Sequence, residues 1–216
     1  MKVALSRMHF PVTTLGPGKR IGIWFQGCSI KCVGCVSKDT WPAGINQVPI
    51  EDVYSVLSTW LPHADGVTIS GGEPFDQFDQ LKHILSFIRQ HSAGAILVYS
   101  GYGYDALADR LTVLDPLIDA LISEPFDSNQ PQTLPLRGSD NQQLHLLTAQ
   151  AKEAFANPDQ ETDMANQLDA SMVNDEIWLA GIAEQDLMHR LASELADKGY
   201  DVEHSQTRLL RHKPCS

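Results

Sequence analysis

Arg20–Cys35 reads RIGIWFQGCSIKCVGC, an apolar, β-branched and aromatic run that ends in three cysteines spaced C-x3-C-x2-C. Gly16-Pro17-Gly18 precedes the run and Gly27 closes it, so Arg20–Gln26 reads as a strand and Cys28–Cys35 as the loop at its end. Downstream, Pro49 opens an amphipathic stretch at Glu51–Leu61, with Val53, Val56, Leu57 and Trp60 at helical spacing. Gly66–Ser70 (GVTIS) is a short strand running into Gly71-Gly72, and Asp76–His91 places Phe78, Leu81, Ile84, Leu85 and Ile88 along one helical side. Ala95–Ser100 and Leu117–Ser123 read as two further strands, separated by a short helix at Tyr104–Leu111. Strands and helices in alternation predict an α/β fold with a mostly parallel sheet covered by helices.

The last third has a different character. Between about Ala149 and Asn174 the chain is polar, a long connection with room for a helical piece and a break at Asn157-Pro158. Glu176–Ala180, Glu184–Lys198 and Asp201–His204 then predict one more strand–helix–strand unit, with Gly199 ending the helix. A length of 216 residues suits one domain, read as a core over 1–150 and an acidic extension over 151–216 that completes the same sheet.

Charge separates the same regions. Residues 1–50 hold Lys2, Arg7, Lys19, Arg20, Lys31 and Lys38 against Asp39 alone, a balance of +5, so a net charge of −11 leaves −16 for the rest. An acidic total argues against a nucleic-acid-binding surface. No apolar run approaches the length of a membrane span, and MKVALSRMHFP lacks the apolar centre of a signal peptide. Cys28, Cys32, Cys35 and the distant Cys215 make a poor disulfide framework, which places the protein in a reducing cytoplasm.

Three thiolates this close can grip three corners of an iron–sulfur cubane, leaving the fourth iron open to bind a small molecule. Tetrahedral zinc is the alternative. It needs a fourth ligand and commonly uses two separated knuckles; Cys215 could serve only by folding back from the far end, and His63, His83 and His91 lack knuckle spacing and read as ordinary surface or core histidines. Spacing favours the cluster and leaves zinc open. Ser70-Gly71-Gly72-Glu73-Pro74 sits at the end of the next strand, where α/β folds bind ligands. Two glycines allow close approach to the backbone, and Glu73 supplies an acceptor for an ammonium group.

Taken together, GPGKRIGIWFQGCSIKCVGCVSKDTW (Gly16–Trp41), ISGGEPF (Ile69–Phe75), VYSGYGYDAL (Val98–Leu107) and LRGSDNQ (Leu136–Gln142) resemble the radical S-adenosylmethionine (SAM) superfamily. Within it the chain is most similar to the activating enzymes of glycyl-radical enzymes, in the branch that serves anaerobic ribonucleoside-triphosphate reductase. The resemblance implies a partial (β/α)6-type barrel and a [4Fe–4S] cluster on Cys28, Cys32 and Cys35. It implies that Glu73, with the Gly71-Gly72 backbone, binds the SAM amino group and that Ser100, Gly101 and Tyr102 lie near the ribose. Reductive cleavage of SAM would then give a 5′-deoxyadenosyl radical that abstracts hydrogen from a glycine of a much larger partner, an anaerobic ribonucleotide reductase. A flavodoxin-type electron donor would dock near the cluster, and Lys19, Arg20, Lys31 and Lys38 would either offset the negative charge there or simply form a solvated surface.

Some residues depart from the pattern. Many superfamily members carry an aromatic residue before the third cysteine; here it is Gly34, as in the reductase-activating branch, which leaves the adenine to other contacts. Where that branch tends to read Asp-Gly after the fourth strand, this chain has Ser123-Glu124, and it runs about seventy residues past the usual end. In that extension Gly181 and Ile182 are candidates for adenine contact, or simply part of a sixth strand. Trp41 and Tyr102 face either the cofactor or the core. Two alternatives stay open: a radical SAM protein with another target, and a non-enzymatic zinc- or cluster-binding module.

Overall fold

The computed structural model describes residues 1–156, 168–173, 176–182, 187–200 and Ser205. Seven strands form one mixed sheet in the order β3-β1-β2-β4-β5-β6-β7. Its centre is the expected parallel set: β2 (Arg20–Phe25), β4 (Gly66–Gly71), β5 (Ala95–Tyr99) and β6 (Ala120–Ser123). Helices α1 (Ile50–Trp60), α2 (Phe78–His91) and α3 (Ala108–Leu114) lie in the connections. Both flanks are antiparallel, with β1 (Lys2–Val12) on β2, β3 (Gln47–Pro49) on β1, and β7 (Gln143–Leu146) on β6.

Side chains alternate across a strand, so each central strand shows two faces. Ile21, Ile23, Phe25, Val67, Ile69, Ile96, Val98 and Leu121 form the main core with Val53, Leu57, Leu81, Ile84, Leu85, Ile88 and Leu114 of the three helices. The opposite face carries Ala95, Leu97, Ala120 and Ile122, covered by Ala151 of α4 (Ala149–Ala154) and by Phe155. Trp24 and Tyr99, displaced by one residue from the helix-facing set, belong to this second face.

Arg20 does not serve the cysteine loop as expected. It is fully buried at the start of β2, where its guanidinium donates to Thr68 Oγ1 and to the carbonyls of Pro17, Val67 and Ala95. Lys19 precedes it at that same end, whereas the cysteines follow the other end of the strand. Only Lys31 and Lys38 of the basic group stand on the loop itself.

The extension is built differently from the reading above. β8 (Leu168–Val173) and β9 (Glu176–Gly181) pair antiparallel in a two-stranded sheet of their own, followed by α5 (Leu187–Asp197). β9 therefore does not complete the main sheet. Both edges of that sheet are already formed by β3 and β7, and β9 takes as partner a strand drawn from the polar connection. Gly199 follows α5 with φ 88, the left-handed turn expected there. Asn157-Pro158, Asp201–His204 and Cys215 lie outside the described residues.

The hairpin is anchored on the second face at two points. Trp178 stacks on His9 with centroids 4.0 Å apart and meets Trp24 edge-on at 5.2 Å. Asp169 accepts from the backbone N–H and the hydroxyl of both Thr13 (2.6 and 2.6 Å) and Thr14 (3.1 and 2.9 Å). Burial pushes the Asp169 carboxyl up, but these donors outweigh it and hold the group below the usual carboxylate range. Asp169→Ala should loosen the hairpin by about 1–3 kcal/mol. Hydrogen exchange would show this as faster exchange across β8 and β9 with the central sheet unaffected; unchanged exchange would mean that Trp178 alone holds the hairpin.

Candidate active site

The end of β2 sets the geometry of the cysteine loop. Gly27 N–H donates to the Thr40 carbonyl (2.7 Å) and Cys28 N–H to that of Trp41 (3.1 Å), so the two ends of the loop are clipped together. Beneath this clip, the Gln26 amide donates to the carbonyls of Asp39 and Pro42, and Asn46 donates to Gln26 Oε1. The thiols of Cys28, Cys32 and Cys35 are free and half-buried. Burial pushes all three upward in pKa, opposed by nearby N–H donors that include the Ser37 amide at 3.4 Å from Cys35 Sγ.

The Gly71-Gly72-Glu73 turn is hydrogen-bonded to the base of that loop. Gly72 N–H donates to Phe25 O and Glu73 N–H to Gly27 O, both at 2.8 Å. A Cβ on Gly72 would collide with the Gly27 carbonyl, and one on Gly71, at φ 105, with the Phe25 backbone. The two glycines thus admit the chain's own backbone, where the sequence suggested room for a ligand.

Glu73 is 1% exposed. Its Oε1 accepts from Phe75 N–H (3.0 Å) and the Ser100 hydroxyl (2.9 Å), and its Oε2 from Gly101 N–H (2.8 Å). Burial raises its pKa from 4.5 to about 7 despite these donors. A carboxylate offers roughly four acceptor positions. With three in use, one position on Oε2 is left for an incoming donor.

These elements line one cavity of about 270 Å³ on the second face of the sheet. The cysteine loop brings Cys28, Cys32, Gly34 and Cys35, the strand ends bring Gly71, Gly72, Glu73, Ser100 and Gly101, and the hairpin brings Gly181 and Ile182. Tyr102 is not among the lining residues. Its hydroxyl donates to Asp76 Oδ1 (2.8 Å) and lies 2.9 Å from Ser29 Oγ, while Asp76 accepts from the Ser29 N–H, so the pair braces the start of the cysteine loop. Ser205 donates from its hydroxyl to Val36 O and accepts at its carbonyl from Asp39 N–H, tying the extension to the end of that loop.

Several lining residues were given no site role from the sequence: Arg7, Glu124, Phe126, Gln132 and Gln142; Trp41, left between cofactor and core, lines the cavity as well. Arg7 pairs with Asp39 and stands opposite Trp24 in the β1–β2 register. Phe126 explains two motif glycines at once. Its ring edges lie 3.2 Å from the place where a Cβ would stand on Gly34 and on Gly138. The absent side chain at 34 therefore makes room for an aromatic ring delivered from elsewhere. Glu124 takes φ 81, a conformation suited to the glycine that the resemblance leads one to expect there.

A protein with three free thiols on one loop, a buried carboxylate with one acceptor position to spare, and a cavity lined by both has the donor set of a cluster-dependent enzyme. A family model described as a 4Fe-4S single cluster domain matches residues 14–145. The chain is 33% identical over 151 residues to the anaerobic ribonucleoside-triphosphate reductase-activating protein of Salmonella typhimurium, covering 64% of this chain and 96% of that one. Its counterpart from Escherichia coli K12 is 33% identical over 150 residues, with 64% and 96% covered. A pyruvate formate-lyase-activating enzyme from Clostridium pasteurianum is 36% identical over 94 residues, 41% of this chain and 40% of that one. The chain belongs to the 4Fe-4S radical SAM activators of glycyl-radical enzymes, in the family of the anaerobic ribonucleoside-triphosphate reductase-activating proteins. The family model ends before β8, so the hairpin and α5 lie beyond it. Among the described residues no helix is long and apolar enough to cross a membrane.

Proposed function

We propose that this chain binds a [4Fe–4S] cluster on Cys28, Cys32 and Cys35, cleaves SAM reductively there, and generates a glycyl radical on an anaerobic ribonucleotide reductase. Support comes above all from the three thiols and the Glu73 carboxylate lining one cavity. When bound, the cluster supplies the electron that splits SAM into methionine and a 5′-deoxyadenosyl radical. The chain's own residues bind and orient. The free acceptor position of Glu73, with the Gly71-Gly72 backbone, takes the SAM amino group, while Ser100 and Gly101 hold that carboxylate in place and lie beside the ribose. Gly34, Phe126, Gly181 and Ile182 form an apolar slot for the adenine, and Tyr102 steadies the loop from outside.

The seven-stranded sheet is read as the partial (β/α)6-type barrel of the superfamily, with 1–150 as its core and 151–216 as an appended part of the same domain. A flavodoxin-type donor fits the loop side, where Val33 is 81% exposed beside Lys31. The setting is the cytoplasm. The pyruvate formate-lyase-activating relative supports a second reading, in which the target is a different glycyl-radical enzyme.

Anaerobic purification should give a brown protein with about four irons. Cys32→Ala should lose them, because the remaining two thiols cannot retain the cubane. Stoichiometric zinc without iron would overturn the proposal. A glycine-centred radical in a candidate reductase, formed only with this protein, SAM and reductant, identifies the target; its appearance in another glycyl-radical enzyme instead selects the second reading.

A further inference from the structure

We infer, on the reading that Cys28, Cys32 and Cys35 hold a cluster, that the indole N–H of Trp41 donates a hydrogen bond to sulfur at the Cys35 corner and raises the cluster's reduction potential. Trp41 is fixed at the base of the cysteine loop. Its own N–H donates to Lys38 O and its carbonyl accepts from Cys28 N–H, both at 3.1 Å, so its backbone is part of the clip that closes the loop. The ring lines the cavity together with Cys35. Its Nε1–H is buried, and no acceptor among the described residues takes it up. A buried donor left unpaired carries an energetic penalty, and its persistence points to an acceptor that arrives later.

The neighbouring thiol identifies that acceptor. Cys35 lines the same cavity as Trp41, and its Sγ already accepts from the Ser37 N–H at 3.4 Å. A neutral thiol is a weak acceptor, whereas a metal-bound thiolate or an inorganic sulfide is anionic and takes an N–H readily. Such donors stabilise the more negative, reduced state, which is how hydrogen bonds to sulfur set cluster potentials. Trp41 is thus a positioning and tuning residue, and Ser37 N–H is the second donor to the same sulfur.

Trp41→Phe keeps a ring and removes the donor. In anaerobically reconstituted protein without SAM, an EPR-monitored redox titration should show the variant about tenfold less reduced at a given potential near the midpoint. For a one-electron couple this is a fall of about 59 mV, with iron content unchanged. Trp41→His, whose ring retains an N–H, should recover part of the shift. Equal potentials in wild type and Trp41→Phe overturn the inference. If Trp41→Phe fails to load iron, wild-type protein labelled with 15N in its indoles gives the answer by pulsed EPR of the reduced cluster. A 15N hyperfine coupling that survives in Trp24→Phe supports the bond, and no coupling in the wild type overturns it. A wild type that binds no iron overturns the functional reading and this inference with it, which separates the two failures.

Discussion

Glu73→Gln protein is expected to load its cluster as the wild type does and to bind SAM at least tenfold more weakly. The backbone contact that joins Glu73 to the cysteine loop, N–H to Gly27 O, is indifferent to the side chain. The side chain itself is not replaceable. A glutamine oxygen facing Phe75 N–H and the Ser100 hydroxyl turns its NH2 toward Gly101 N–H, so the spare acceptor position is lost together with the charge. A charge-assisted hydrogen bond contributes about 1.5–3 kcal/mol, which is tenfold to a hundredfold in affinity. Equilibrium binding of SAM to holoprotein, alongside iron content, measures both. Equal loss of iron and SAM binding would mean that Glu73 is structural.

The same residue sets two opposite pH dependences. Its pKa in the ligand-free protein is about 7, so the carboxylate that accepts from SAM disappears as pH falls through 7, and wild-type affinity should fall with it. Stability runs the other way. Between its ordinary 4.5 and about 7 the folded state keeps a proton that the unfolded state gives up, so ligand-free protein loses stability as pH rises through that window. The loss attributable to this group is about 3 kcal/mol. Both slopes should flatten in Glu73→Gln, in binding isotherms and in thermal melts respectively; parallel slopes in wild type and variant would assign the titration to another group.

Gly72→Ala should behave in the contrary manner, losing iron, SAM binding and stability together. Its Cβ would meet the carbonyl of Gly27 and stand 3.1 Å from that of Thr40. Both are main-chain atoms in the clip that shapes the cysteine loop, so neither can move aside as a flexible side chain would. Overpacking of this kind costs about 3 kcal/mol, and the strain falls on the Glu73 N–H to Gly27 O bond that couples the two halves of the site. A lowered Tm with iron-free protein is the expected result. A variant with wild-type Tm and full iron would show that the turn has room to spare.

The parts of the fold that the sequence made legible are those buried on both faces. RIGIWF, GVTIS and AILVY are near-continuous apolar runs because helices cover one side and the cavity or α4 the other. β1 carries no clean alternation, since its register against β2 slips between Leu5 and Arg7 and again between His9 and Val12. β7 is four residues behind a long loop, and β8 hides in a polar segment, so the sequence offers β9 no partner but the main sheet. In the site, the cysteines and Glu73 were readable from spacing and strand-end position. Arg7 and Phe126 were not, because each reaches the cavity through pairing or loop paths that bring distant residues together. The glycines at 34 and 138 were the trace that Phe126 left in the sequence, visible only as missing side chains.

The hairpin of β8 and β9 has a consequence for how the enzyme behaves on dilution. Leu168, Leu179, Ala180, Gly181 and Ile182 wall the cavity from within the same chain, fastened through Asp169 and Trp178. A wall contributed by a second protein would be present only in proportion to that protein's concentration and affinity. A tethered wall carries its own effective concentration, set by the length of chain between α4 and β8 rather than by the number of molecules in the cell. The presence of this wall is therefore expected to be independent of enzyme concentration, so that a few copies are as well formed as many.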